Sequence, residues 1–554
     1  MLITIPAALL LFAQGLALPP DSAPEQLPAV EAAGLITHAE GAFEGYTLLA
    51  PLGSKATYLL DMQGEVVHEW PSEYTPGNSA YLLDDGSLMR TGRVDNDIFS
   101  GGGQGGRIQR IAWDGELLWD YDLSTADALA HHDIEPLPNG NVLAIAWEAV
   151  GPDELFRAGR RFEAIGDGGL WPDFVVELAP RPTEEDLGGA EVVWEWHAFD
   201  HLVQGENEQA ANFGDAAELT HRIDVNAGLR TTAMTAEEAR RAKELEEEMR
   251  GLGYTGDDEP SEGEDGEEQT ARPHGGGGGT DWLHTNSIDY LPGEDLILLS
   301  SRTLSEVWVI DHSTTTAEAA TGEGGRRGRG GDLVWRWGNP ATHGGTGEQQ
   351  LFGQHDARWI AGGEGLRVMV YNNGEGRPGG GDSYSTVEVI ELPELGGAAD
   401  AGPASPARTI GMGGANEAGP SFFSSFISGA QALPNGNVLI CSGAESRLIE
   451  VNASDEVVWE WRSDLPGAQG ARGPRGRRPG GSPGPGGRPP RGERPERPEG
   501  PPPGGFDRGP GGPDGPGAGG GRPGGGGNGS GLFRATRLSA DHPGLVGLKP
   551  SEGE

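Results

Sequence analysis

One short pattern recurs along the chain and restricts its fold more than any other feature. It reads "GEVVHEW" (64–70), "GELLWDY" (115–121), "AEVVWEW" (190–196), "GDLVWRW" (331–337) and "DEVVWEW" (455–461), with a degenerate copy in "ARTIG" (407–411). Alternating apolar residues give each copy the period of a half-buried strand. Before most copies stands another strand: "TYLLDM", "IQRIAW", "FVVELA", "SEVWVID", "TVEVIEL", "SRLIEV". Further upstream comes a strand, a tight Gly/Pro/Asn turn and a second strand, as in "HHDIEPLPNGNVLAI" (131–145), "NSIDYLPGEDLILL" (286–299), "HDARWIAGGEGLRVMV" (355–370), "SGAQALPNGNVLI" (428–440) and "NSAYLLDDGSLM" (78–89). That is a β-hairpin. The unit is four antiparallel strands, repeated, and such units arranged radially make a β-propeller.

Five units are complete and a sixth is split between the chain ends. "YTLLAPL", "ATYLLDM" and "EVVHEW" supply three of its strands, and "FRATRL" (533–538) supplies the missing first one. Pairing the ends closes the ring and removes a long exposed edge. The expected fold is therefore an all-β, six-bladed β-propeller spanning 44–464 and 531–545, with an N-terminal linker at 18–43. An insertion at 203–280 carries a helix, "TAEEARRAKELEEEMRGLG", opened by a Thr235-x-x-Glu238 capping box and followed by an acidic run. Residues 466–530 are rich in Gly, Pro and Arg without a strict triplet, which predicts a disordered segment.

The formal charge of −45 argues against nucleic acid or anionic membranes as partners. The opening "MLITIPAALLLFAQGLA" resembles a signal peptide cut near Ala17, too short for a stable membrane span, so the protein is expected to be exported, periplasmic or secreted. The single cysteine, Cys441, excludes an intrachain disulfide and sits in an apolar strand as a buried thiol.

Aligning the hairpins brings Asn78, His132, Asn286, His355, Ser428 and Phe533 to one register position, the entrance of each channel-lining strand. Two residues on, Ala80, Ile134, Ile288, Ala357, Ala430 and Ala535 are apolar. A polar ring above an apolar throat is a binding-site geometry. In "DWLHTNSIDYLPGEDLILLSSR" the turn centres near Gly293, so the hairpin sets Arg302 beside His284, with Asn286 on the same face. An imidazole next to a permanent cation resists protonation and stays nucleophilic, and a guanidinium holds anions through its planar fork.

"WHAFDHLVQ", "DWLHTNSIDY", "SSRTLSEVWVIDH", "VWRWGNP", "GQHDARWI", "ISGAQALPNGNVLIC" and "LFRATRLSADHPGL" resemble the bacterial aryl-sulfate sulfotransferase family. The resemblance spans most of 40–464 and implies a six-bladed propeller. It also implies sulfuryl transfer from a phenolic sulfate ester to a phenol, without the nucleotide donor PAPS, by a ping-pong route through a sulfohistidine. It implies no cofactor and no metal. His355 matches the family's nucleophile, and His284 and Arg302 match its charged partners. The remaining histidine is matched by His132 or His131, with His201 as a weaker competitor; Asn78, Asn286, Ser428 and His131 complete the expected substrate contacts. Strand patterns begin by about residue 44, so the N-terminal domain that some members carry before the propeller is expected to be missing, and the family's disulfide cannot form with one cysteine. Its insertion at 203–280 is placed to cover the channel mouth. His68 is expected to be packing. A quinoprotein dehydrogenase would need eight blades and calcium ligands. A non-catalytic ligand- or partner-binding propeller is the stronger alternative.

Overall fold

The computed structural model describes residues 33–229, 236–251, 280–363, 365–378, 383–400, 402–411, 419–467 and 531–548. Six antiparallel sheets make the blades of a β-propeller. The second blade is Pro76–Leu82, Leu88–Arg93, Gly106–Ile111 and Leu117–Asp122; the third is Ala128–Pro136, Val142–Glu148, Asp173–Pro180 and Ala190–His197. The fourth runs from Thr285–Leu291 out to Trp335–Trp337, and the fifth from His355–Trp359 to Arg408–Ile410. The sixth begins with Gly429–Ala432 and ends with Val457–Arg462.

The first blade closes the ring as expected. Leu532–Ser539 is its innermost strand and pairs with Gly45–Pro51, aligning Tyr46 with Leu538 and Leu48 with Thr536. The linker expected at 18–43 is not all linker, because Gly34–His38 adds a fifth strand to the outer edge of the sixth blade, against Val457–Arg462. That edge would otherwise leave a row of backbone donors and acceptors open.

The recurrent tryptophans explain why the repeat exists. The outer strands of the second, third, fourth and sixth blades each insert an indole toward the following blade and donate its Nε1–H to that blade's backbone or a side chain. Trp119 reaches the Gly189 carbonyl at 3.0 Å, Trp194 the Thr314 hydroxyl at 3.1 Å and Trp196 the Gly331 carbonyl at 2.7 Å. Trp337 reaches Pro403 at 2.8 Å, and Trp459 reaches Met62 at 2.9 Å across the closure. Truncating one such ring costs about 3–5 kcal/mol. His68 stands at the corresponding position of the first blade, stacked on Trp113 at 4.2 Å, a packing role.

The insertion is not peripheral throughout. Leu202–Val203 pairs in parallel with Ile223–Asp224, and Leu202, Ile223 and Val225 are buried in the cluster that joins the third and fourth blades. The helix spans Ala236–Gly251; its capping-box threonine, the acidic run and the 468–530 segment lie outside the described residues, as does the leader. Among the described residues no helix is long and apolar enough to cross a membrane. Cys441 is buried and its thiol is pushed well up by burial.

Candidate active site

The channel-lining strands do not keep a simple two-residue period. Their pairing registers slip between Pro76 and Ala80, Thr285 and Ile288, and His355 and Arg358, with a matching slip in the third blade. Asn78, His132, His284, Asp356, Ile427 and Ser428 adopt positive φ beside these slips. A bulge of this kind re-aims side chains. One consequence corrects the expected throat. Ala80, Ile134, Ile288, Ala357, Ala430 and Ala535 each enter a different interblade cluster, and of the six only Ala430 and Ala535 also line the cavity at the far ends of the inner strands.

The channel is instead crossed by an ionic plug. Asp133 accepts from Tyr81 Oη at 2.8 Å, Arg534 at 2.8 and 3.0 Å, Arg358 at 3.2 Å and the Ile288 amide at 3.2 Å. Asp356 accepts the Arg358 Nε–H at 2.8 Å and the Ala430 amide at 3.2 Å, and forms an ion pair with Arg534, whose Nε lies 2.8 Å away. These contacts draw on all six blades. The network goes beyond what the sequence suggested; its one local signal is an acid immediately after each channel histidine, His132-Asp133 and His355-Asp356.

Above the plug the histidines meet. The His132 and His284 rings lie 4.5 Å apart, edge to face. Phe533 stands between His132, at 6.0 Å, and His355, at 6.3 Å. Gly103 packs against the His132 ring and any Cβ there would overlap it. Asp281 pairs with His284 Nδ1 and also accepts the Trp147 Nε1–H at 3.1 Å. The hairpin pairing expected from the turn holds: the Arg302 amide donates to the His284 carbonyl at 3.3 Å.

His355 is fully buried. Its Nδ1 faces Asn373 Oδ1 at 2.8 Å and the Gly353 carbonyl at 3.1 Å, while the Ile427 amide donates to Nε2 at 3.2 Å. Burial, and then the Arg302 charge, hold its pKa well below the usual histidine range. Burial, then His284, do the same to His132, with Arg302 adding to it. These mutual effects put His132, His284, His355 and Arg302 in one electrostatic cluster. Arg302 is only 8% exposed, its Nε has no hydrogen-bond partner, and among the described residues its guanidinium makes no ion pair. A nearly buried cation without an ion pair, beside imidazoles held neutral, is chemically suited to receive an anion.

The other expected contacts divide. His131 lies behind His132, Nδ1 to Nδ1 at 2.7 Å, stacked on Trp147 at 4.1 Å and 3.3 Å from Asp173. Asn286 donates to the Gln354 carbonyl at 2.7 Å, which ties the fourth blade to the backbone beside His355, and its Oδ1 is buried without a partner. Asn78 is buried with a free Nδ2. Ser428 is not turned to the cluster, since its hydroxyl accepts the Gly443 amide at 2.9 Å. His201 is elsewhere, bonded to Asp332 and the Ala319 carbonyl, both at 2.8 Å. Among the described residues no group of three or more His, Cys, Asp or Glu could hold a metal ion.

The insertion helix reaches this end of the channel. Met249, and more loosely Leu245, pack on Leu52, Phe426, Ile427 and Phe533, the residues flanking His355. Glu248 accepts from Ser425 at 3.2 Å. A cavity of about 880 Å³ lies at the far ends of the inner strands, lined by Tyr81, Asp356, Arg358, Trp359 and Arg534. None of the clustered histidines lines it.

Fold and cluster together define a six-bladed propeller with a histidine–arginine centre at one channel mouth. The chain belongs to the arylsulfotransferase (ASST) family, whose pattern matches residues 47–389, more than half of its length. That membership supports aryl sulfotransferase activity in general, with aryl sulfates and phenols as substrates. Comparison with curated proteins gives no match. Among solved structures, a Bacteroides caccae protein of unknown function is similar at TM-score 0.35 and 13% identity, over 76% of this chain and 94% of that one. The Myceliophteria thermophila Cps50 (Swd1) β-propeller domain gives 0.31 and 10%, over 77% and 89%. A catalytically inactive virginiamycin B lyase from Staphylococcus aureus gives 0.31 and 8%, over 78% and 89%. At such scores these likenesses carry no argument.

Proposed function

We propose that the protein is a PAPS-independent aryl-sulfate sulfotransferase that works by a ping-pong mechanism through a sulfohistidine on His355. The observation that carries this reading is the uncompensated Arg302 guanidinium beside an imidazole kept neutral by burial. A sulfate ester brings the missing negative charge. Its sulfuryl oxygens sit on Arg302, and the His355 Nε2 lone pair attacks sulfur. The S–O bond to the aryl group breaks and phenolate leaves with the electron pair. His284, held at Nδ1 by the Asp281 carboxylate, supplies the proton. His132 donates to the sulfuryl oxygens. A phenol then gives its proton back to His284, attacks sulfur and regenerates His355. By analogy with phosphoryl transfer, the work is positioning and charge stabilisation. Export through the apolar leader would place the reaction outside the cytoplasm; the N-terminal mass of the mature protein tests that.

The test is incubation with p-nitrophenyl sulfate and a phenol, wild type against His355→Ala, with mass spectrometry of enzyme quenched on donor alone. Nitrophenolate release and a sulfated His355 peptide from the wild type alone are expected. Equal release from both proteins would remove His355 from the chemistry.

A further inference from the structure

Asn373 follows Arg367–Asn372, the strand next to that of His355, and is completely buried. Its Nδ2 donates to two backbone carbonyls, Ser424 at 2.8 Å and Ile427 at 2.9 Å. Turning the amide over would press Oδ1 against both carbonyl oxygens, so its orientation is fixed by hydrogen bonding. Oδ1, which can only accept, therefore faces His355 Nδ1 at 2.8 Å, and the Gly353 carbonyl, a second acceptor, faces the same nitrogen at 3.1 Å. Nδ1 must carry hydrogen. In a neutral ring that leaves the lone pair on Nε2, and the Ile427 N–H pointing at Nε2 from 3.2 Å agrees.

Resting on the sulfuryl-transfer reading above, we propose that Asn373 is a positioning residue: it fixes His355 as the Nδ1–H tautomer and, being a neutral amide, keeps the Nε2–sulfuryl bond labile. When Nε2 attacks, an N–S bond forms and the S–O bond breaks, while the Nδ1 proton stays. The ring becomes an imidazolium bearing SO3⁻. A carboxylate in the place of Asn373 would stabilise that cation and turn a carrier into a trap. It would also favour a second proton on free His355, which blocks attack. The charged and titratable groups facing His355 allow this control. Arg302 and His284 come from the fourth blade and His132 from the third. The neighbouring Asp356 is engaged by Arg358 and Arg534. No carboxylate among these residues pairs with the ring. Asn373 also grips the carbonyl of Ile427, a β-branched residue at φ 51°, so it holds a costly backbone conformation beside the nucleophile.

The experiment needs no variant at first. ¹⁵N chemical shifts of the His355 ring in the full-length protein should show a protonated Nδ1 and an unprotonated Nε2. Asn373→Leu should lower kcat by roughly 100-fold with KM little changed, as losing a ring-orienting partner does elsewhere. Asn373→Asp should move the acid limb of kcat/KM up by about one pH unit and leave sulfated His355 accumulating in the presence of a phenol. A protonated Nε2 in the wild type, or an Asn373→Asp profile superimposable on the wild type, would overturn the proposal. A wild type with the expected shifts but no transfer activity would instead sink sulfuryl transfer and leave the tautomer assignment standing.

Discussion

Replacing Arg302 by Met separates function from stability more sharply than any other change. Methionine keeps an apolar stem of similar length and removes only the guanidinium. At 8% exposure and with no ion pair among the described residues, that charge carries an unrelieved desolvation cost in the empty enzyme. Its removal is expected to stabilise the protein by about 1–3 kcal/mol. The reaction suffers the opposite. A guanidinium about 4 Å from a sulfuryl oxygen, at an effective dielectric constant near 20, is worth about 4 kcal/mol, or roughly a thousandfold in rate. Arg302 also depresses the pKa values of His355 and His132, so both should move back toward 6.5 and the acid limb of the rate should rise with them. The assays are kcat/KM on p-nitrophenyl sulfate across pH, and thermal unfolding by circular dichroism. A variant that loses less than about tenfold in rate and also melts lower than wild type would refute the argument, because it would show a structural cation rather than an anion site.

Three further outcomes are expected. Because folded His355 and His132 are held below 6.5, the unfolded chain takes up protons before they do; stability from these groups is therefore complete above about pH 6.5 and is lost as pH falls through their lowered values. The wild-type melting temperature should fall more steeply below pH 6.5 than that of His355→Gln; parallel curves would contradict the burial argument. Asp133→Ala leaves Arg534 and Arg358 short of a shared buried carboxylate and should cost about 3–5 kcal/mol in denaturant unfolding, a loss under about 1 kcal/mol showing that the plug is solvated. Met249→Ala should release the insertion helix from the mouth, seen as faster amide exchange in 236–251 and faster modification of His355 by diethyl pyrocarbonate. Unchanged modification would mean the helix does not cover the site.

The ring was legible because a propeller repeats its physics: each "EVVWEW"-like strand must alternate, and four of the six send an indole into the next blade. His284 and Arg302 were legible for a local reason, as the two arms of one hairpin equidistant from Gly293. The polar ring at the strand entrances was only partly legible. Period-two reasoning fails wherever a bulge shifts the pleat, so Ala80 and Ala357 pack between blades while Ala430 and Ala535 keep a place on the cavity wall, and the Ser428 hydroxyl is taken up by the Gly443 amide. Asn373 and the Asp133–Arg358–Arg534 plug were invisible because partners such as Ser424, Ile427 and Asp133 are distant in sequence. Arg534 meets Asp133 across 401 positions, a contact that no local pattern announces. The strand Gly34–His38 was missed because an edge strand with an exposed face has little apolar periodicity.

The order in which the blades are made has a consequence for when chemistry can begin. Phe533, the ring between His132 and His355, belongs to the last strand of the chain, and that strand is also the innermost one of the first blade. A growing polypeptide thus carries His355, Arg302 and His284 for well over a hundred residues before the ring between His132 and His355 exists. The half-made protein is a rack of reactive parts without a vessel. Docking of one eight-residue ribbon completes the ring around the histidines.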